Sequence, residues 1–94
     1  MNLKQLAQAA SDYYGVAYTE LVSPCRQVEC TRPRHICQWI AKDAGYKQSA
    51  IARFWKLDGS AVHYGCKVVQ RRLDTSDAAV ADIKKFMAYA KQWD

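Results

Sequence analysis

The chain has 94 residues, half of them hydrophobic, and a formal net charge of +5. This length suffices for one modest core and excludes several domains, while the hydrophobic fraction excludes a disordered chain. No apolar run reaches about 18 residues, the length that spans a membrane, and the first residues lack the apolar segment of a signal peptide. We therefore expect one cytoplasmic domain over residues 1–94.

Positive charge is concentrated in the middle of the chain. Residues 26–72 hold ten Lys or Arg against three acidic residues, a balance of +7, whereas residues 1–25 and residues 73–94 each carry −1. A cluster of positive charge binds phosphates by releasing counterions, which favours a nucleic acid as partner. The alternative is a solvated basic face with no defined partner.

The N-terminal stretch predicts an amphipathic helix that ends at Gly15. Its apolar residues recur at the spacing of one helical face: Leu3, Leu6, Ala7, Ala10 and Tyr13 or Tyr14. We interpret Tyr14 as a core residue, since an aromatic on an apolar stripe is more often packed than functional. Residues 18–22 predict a short second helix, which Ser23-Pro24 ends.

A third helix is expected to follow a segment with three arginines and to run to about Asp43. Pro33 is tolerated in a first turn, so the helix begins near Thr31, or it begins earlier and bends at Pro33. Its apolar side is marked by Val28, Ile36, Trp39 and Ile40.

Residues 47–73 predict a helix-turn-helix. Residues 49–54 form a helix of two turns, residues 56–59 interrupt the pattern, and Asp58 or Ser60 can cap a longer helix. The inner face of that helix is apolar: Val62, Gly65, Cys66, Val69 and Leu73. Its outer face is polar and mainly basic, as in a helix that enters a DNA major groove: Ser60, Ala61, His63, Tyr64, Lys67, Gln70 and Arg71.

A last helix is predicted from Asp77 to Gln92, and we expect its apolar stripe to pack on the first helix. The stripe consists of Ala79, Val80, Ile83, Phe86, Met87 and Ala90. The aromatic end that includes Phe86, Tyr89 and Trp93 is the candidate contact for a second copy or another partner if the core does not cover it. The whole pattern predicts an all-α, compact bundle of five to six helices.

Residues 54–66, FWKLDGSAVHYGC, resemble the F-G-G-R-D-H-T-T-V-x-x-A-C motif of the C-terminal DNA-binding domain of the bacterial replication initiator DnaA, a Trp-repressor-like helix-turn-helix. The match covers about residues 7–73, with one residue missing before Phe54. The resemblance extends upstream to six further positions. The family's Y-Y falls at Tyr13-Tyr14, its L-L-S at Leu21-Val22-Ser23 and its arginine at Arg26. Its R-P-R falls at Arg32-Pro33-Arg34, its hydrophobic-A-K at Ile40-Ala41-Lys42 and its I at Ile51.

The resemblance implies roles at duplex DNA for particular residues. In the family, a basic loop supplies an arginine that enters the minor groove, and Arg26 occupies that position. Arg34 and Lys42 match basic positions of the family that contact phosphates or bases. Contacts to phosphates are the majority in protein–DNA interfaces. Together with the turn and the outer face of the longer helix, the expected DNA-binding residues are Arg26, Arg32, Arg34, Lys42, Lys56, Asp58, Ser60, Ala61, His63, Tyr64, Lys67 and Arg71.

The base-reading positions depart from the family. Leu57, Gly59 and Ala61 stand where it has Arg, His and Thr. A glycine offers neither a side-chain donor nor a thymine-methyl contact, so the family's own DNA site is in doubt. Either a different sequence is read through His63, Tyr64 and Lys67, or phosphate contacts dominate and specificity is weak. For Asp58, an equally supported alternative to base contact is that it caps the longer helix and never touches a base.

The sequence gives little support to a metal site or to catalysis. Its four cysteines follow C-x4-C-x6-C-x28-C, without the paired C-x2-C of structural zinc sites. A nucleophilic pair of Cys37 and His63 has no third orienting group, and no phosphate-binding G-x-x-x-x-G-K-[ST] loop is present. We therefore expect no metal, no cofactor and no enzyme activity.

Two hypotheses of function follow. In the first, the chain regulates replication or transcription by occupying duplex DNA in the nucleoid of a bacterial or phage-infected cell. In the second, it is a protein-interaction module that keeps the helix-turn-helix as a scaffold and binds a replication protein. The lost side chains at the base-reading positions and the aromatic C-terminal end support the second hypothesis.

Overall fold

Six helices make up the structure that the computed structural model describes, which comprises residues 2–23 and 26–92. No strand occurs in these residues, so the all-α prediction is confirmed. The helices are α1 (Leu3–Tyr14), α2 (Tyr18–Leu21), α3 (Val28–Asp43), α4 (Gln48–Trp55), α5 (Gly59–Thr75) and α6 (Asp77–Lys91). None of them is long and apolar enough to cross a membrane.

The ends of α1 follow from local signals in the sequence. The side chain of Asn2 accepts a hydrogen bond from the N–H of Gln5, and the side chain of Gln5 accepts one from the N–H of Asn2. This reciprocal pair satisfies two N–H groups that a helix N-terminus leaves open. Gly15 ends the helix in the left-handed region with φ +69°, as the sequence predicted.

Helix α3 begins at Val28, so the earlier of the two predicted starts is the correct one. Pro33 lies inside the helix and is buried, and it has no N–H to donate to the preceding turn. The prediction that Val28 marks the apolar side is wrong, because its side chain is 57% exposed and lines an open cleft beside the end of α1. The buried side of α3 carries Cys30, Pro33, Arg34, Ile36, Cys37, Gln38 and Ala41.

Helix α3 is the centre of the bundle, and α5 and α1 make the most extensive contacts with it. On the far side of α1, Phe86 of α6 is fully buried, with ring centroids 5.4 Å from Tyr13 and 5.2 Å from Tyr14. The predicted packing of the last helix on the first is therefore confirmed. Pro24, Cys25 and Trp93, which entered the sequence predictions, lie outside the described residues.

Candidate nucleic-acid interface

Helices α4 and α5 form the predicted helix-turn-helix. Lys56 takes up the left-handed conformation with φ +55° and ends α4, and Asp58 is extended and precedes the first residue of α5. Helix α5 buries four residues of its predicted inner face, namely Val62, Gly65, Cys66 and Val69, and half-buries Leu73 against the core. The opposite side of α5 is therefore open to solvent.

We call this open side the recognition face; it consists of Ser60, His63, Tyr64, Lys67 and Arg71, all exposed. Tyr64 is the large aromatic side chain of this face and is 64% exposed. His35 of α3 lies edge-on to the Tyr64 ring, with 6.2 Å between the centroids. Burial, and to a lesser degree Arg34, lowers the pKa of His35, so its imidazole is mainly neutral at pH 7. The structure thus brings together the predicted α5 residues except Ala61, which is half-buried.

Asp58 occupies the N-cap position, but its carboxylate makes no capping hydrogen bond. Asp58 therefore precedes α5 as predicted for a cap, but the predicted side-chain hydrogen bond to the first turn is not formed. Ser60 lies inside the helix, which begins at Gly59, and its side chain is exposed. The Asp58 carboxylate is thus exposed at the N-terminus of α5, where the positive end of the helix dipole favours an anion.

An open groove of about 310 Å³ separates the C-terminal half of α3 from α5. The Lys42 and Lys67 side chains line this groove together with Trp39, Asp43, His63, Cys66 and Gln70. The indole N–H of Trp39 donates to Oε1 of Gln70 at 3.1 Å and closes one end of the groove. Lys42 is therefore beside the recognition face, as expected of a phosphate contact.

Arg34 is buried and does not lie on the recognition face, contrary to the expectation for a DNA-contacting residue. Its side chain is 6% exposed, and Nη1 donates to the backbone carbonyl of Ser23 at 2.5 Å. Along α3, Arg34 stands one turn from the buried Cys30 and Cys37, on the same side of the helix. The guanidinium ties α3 to the chain that follows α2.

Arg26 and Arg32 are both exposed, but they belong to the other end of α3 from Lys42. Arg32 lies ten residues before Lys42 on α3, about 15 Å along the helix axis, and Arg26 precedes the first residue of the helix. Arg32 lines a second cleft, of about 420 Å³, with Arg72 of α5 and Asp82 of α6. The structure therefore does not bring Arg32 to the recognition face.

The model of the bacterial dnaA protein helix-turn-helix family matches residues 3–69. The chain belongs to this family. The match runs from α1 to Val69 of α5, so it includes the whole helix-turn-helix turn and most of the recognition face, and α6 lies beyond it. No curated protein matches the chain significantly. Family membership makes the chain a DNA-binding domain of the DnaA type and confirms the resemblance seen in the motif.

The structure accounts for two departures from the DnaA motif. Leu57, at the family's arginine position, is half-buried and packs against the core. At Gly59, the family's histidine position, a Cβ would lie 3.1 Å from Nε2 of Gln48. The side chain of Gln48 thus occupies space beside the first turn of α5. The sequence did not point to Gln48, because an amide at the start of a short helix is usually solvated.

A first prediction separates the two arginines of R-P-R. Replacement of Arg34 by Met keeps the apolar stem but removes the bond to Ser23, and it should lower the free energy of unfolding by about 1.5–3 kcal/mol, the range for hydrogen bonds to charged groups. The matched change Arg32→Met, on an exposed side chain, should stay within about 0.5 kcal/mol. Urea unfolding followed by circular dichroism measures both. An Arg34→Met variant of unchanged stability would contradict the structural role.

Proposed function

We propose that this DnaA-type domain regulates replication or transcription by occupying a duplex DNA site that differs from the site of DnaA. One observation carries the proposal: the exposed side chains of α5 form a basic face on a helix-turn-helix, and Lys42 stands beside them across a groove. A helix in this arrangement fits the major groove, while flanking cations hold the phosphates. The proposed location is the nucleoid of a bacterial or phage-infected cell, with no cofactor and no catalytic step.

The chemistry of the recognition face favours a changed site. The Asp58 carboxylate accepts hydrogen bonds and therefore suits cytosine N4, and the Ser60 hydroxyl pairs with several base edges. Gly59 contributes no side chain to base reading. Farther along α5, His63 and Tyr64 supply a donor and an aromatic ring for bases beyond those opposite the first turn, and Lys67 is placed to hold a phosphate. The set of bases read should therefore shift along the groove.

The test is a selection of bound fragments from a random duplex DNA library at two salt concentrations. An enriched motif that survives the higher salt, and that differs from the DnaA site, is the expected result. Recovery of unenriched DNA that disappears with salt would show phosphate-led binding without a site. Failure to recover DNA at either salt would exclude the proposed function.

A second prediction concerns the phosphate contacts. Lys67→Gln should weaken binding to the selected site and reduce the slope of log affinity against log salt by about 0.9, the value for one released counterion. Lys84→Gln is the matched control, because Lys84 is also exposed but lies on α6 and does not line the groove. The control should leave the slope unchanged in a fluorescence anisotropy titration. Equal slopes for both variants would remove Lys67 from the interface.

A further inference from the structure

The side chain of Gln48 connects three helices through one amide group. Its Oε1 accepts a hydrogen bond from Nζ of Lys42 on α3 at 3.1 Å. Its Nε2 donates to the backbone carbonyl of Gly59, the first residue of α5, at 2.9 Å. Gln48 itself is the first residue of α4 and is half-buried. We call these two hydrogen bonds the Gln48 bridge.

The chemical identity of each member suits the bridge. An amide side chain offers an acceptor and a donor on one planar group, so Gln48 can serve a cation and a carbonyl at once. Gly59 favours the close approach, because a Cβ there would lie 3.1 Å from Nε2 and the amide would have to shift by a few tenths of an ångström. The DnaA motif has histidine at this position in the first turn of α5.

We propose that Gln48 is a positioning residue for DNA recognition: it sets the N-terminus of α5 relative to Lys42 without touching DNA. The inference rests on the proposed function, since it presupposes a specific site. Phosphate contacts fix the register of a protein on the duplex, and base contacts then read the sequence from that register. Through the bridge, the phosphate held by Lys42 determines where Asp58 and Ser60 meet the bases.

Such a role requires accurate placement of the base-reading side chains. Groups that read bases must be held within about 0.5 Å of the productive position by a supporting shell of hydrogen bonds. The Asp58 carboxylate makes no capping hydrogen bond and Ser60 is exposed, so the placement of both side chains depends on the backbone of the first turn. The Gln48 bridge holds that backbone at the carbonyl of Gly59.

The experiment compares Gln48→Glu with Ser49→Glu. Glu at position 48 keeps an acceptor for Lys42 but turns a carboxylate oxygen toward the Gly59 carbonyl, which has no proton to give. Ser49 is the next residue and is exposed, so Ser49→Glu adds the same charge without affecting the bridge. Affinity is measured for the selected site and for an unrelated duplex of equal length, and the ratio of the two is the readout.

We expect the ratio to fall about tenfold in Gln48→Glu, the loss of one good base contact, and to stay at the wild-type value in Ser49→Glu. Gln48→Met, which is uncharged and makes neither bond, should lower the ratio similarly and serves if the Glu variant folds poorly. A wild-type ratio in Gln48→Met would overturn the positioning role and leave the proposed function intact. A wild-type protein without any preference would overturn both.

Discussion

Replacement of Phe86 by Ala should lower the free energy of unfolding by about 3–5 kcal/mol, the range for truncating a large buried aromatic. The side chain is fully buried between α6 and α1, where its ring meets both Tyr13 and Tyr14. A domain of this size has a total stability on the order of 5–15 kcal/mol, so the loss removes a large part of it. Urea unfolding at constant pH measures the difference.

Tyr64→Ala is the matched control, because it truncates an aromatic that is 64% exposed on the recognition face. Its stability should change by about 0.5 kcal/mol or less, while its affinity for the selected DNA should fall. We therefore expect Phe86→Ala to affect folding and Tyr64→Ala to affect DNA binding. A stability loss below about 1 kcal/mol in Phe86→Ala would show that α6 is not docked on α1 in solution.

The position of Phe86 also bears on the protein-interaction hypothesis. That hypothesis drew support from an uncovered aromatic end of the last helix. In the structure, Phe86 is part of the core, and the hydroxyl of Tyr89 donates to the carboxylate of Asp12 on α1. A partner that docked on Phe86 would have to displace α1. The hypothesis therefore stays a prediction, with Trp93 outside the described residues.

The helices themselves were predictable because each follows a local rule. Apolar residues at helical spacing predicted the buried sets of α1, α5 and α6, and Gly15 predicted where α1 ends. The helix-turn-helix followed from the interruption at Lys56 and Asp58 between two such patterns. Spacing along one helix is enough to say which face is buried, and in a small bundle the opposite face is the solvent-exposed one.

The functional site was less predictable because it depends on contacts between helices. Arg34 matches a DNA-contacting position of the family, yet here its guanidinium is bonded to the Ser23 carbonyl, which belongs to a different segment. Val28 fits an apolar stripe but stands in a first turn that no other helix covers. Gln48 gains its partners only when α3, α4 and α5 assemble. Neither the spacing of apolar residues nor the family motif specifies how the helices are placed relative to one another.

The crossing of α3 over α5 offers the sharpest test of that placement. Gly→Ala inside a helix ordinarily adds about 0.5–1 kcal/mol of stability, because glycine loses more conformational freedom on folding. At Gly65 the sign should reverse, since a Cβ would lie 2.7 Å from both Oε1 of Gln38 and Cδ2 of His35. Gln38 is fully buried, and neither atom of its amide has a hydrogen-bond partner in the described residues.

Gly65→Val should therefore lower the free energy of unfolding by about 3 kcal/mol, the upper part of the range for overpacking, and Gly65→Ala by about 1 kcal/mol. Gly59→Ala is the matched control in the same helix, because its Cβ meets only the end of the Gln48 side chain, which can move. Urea unfolding of the three variants measures their free energies of unfolding and ranks them. A more stable Gly65→Ala would contradict the close approach of α3 and α5 at Gly65.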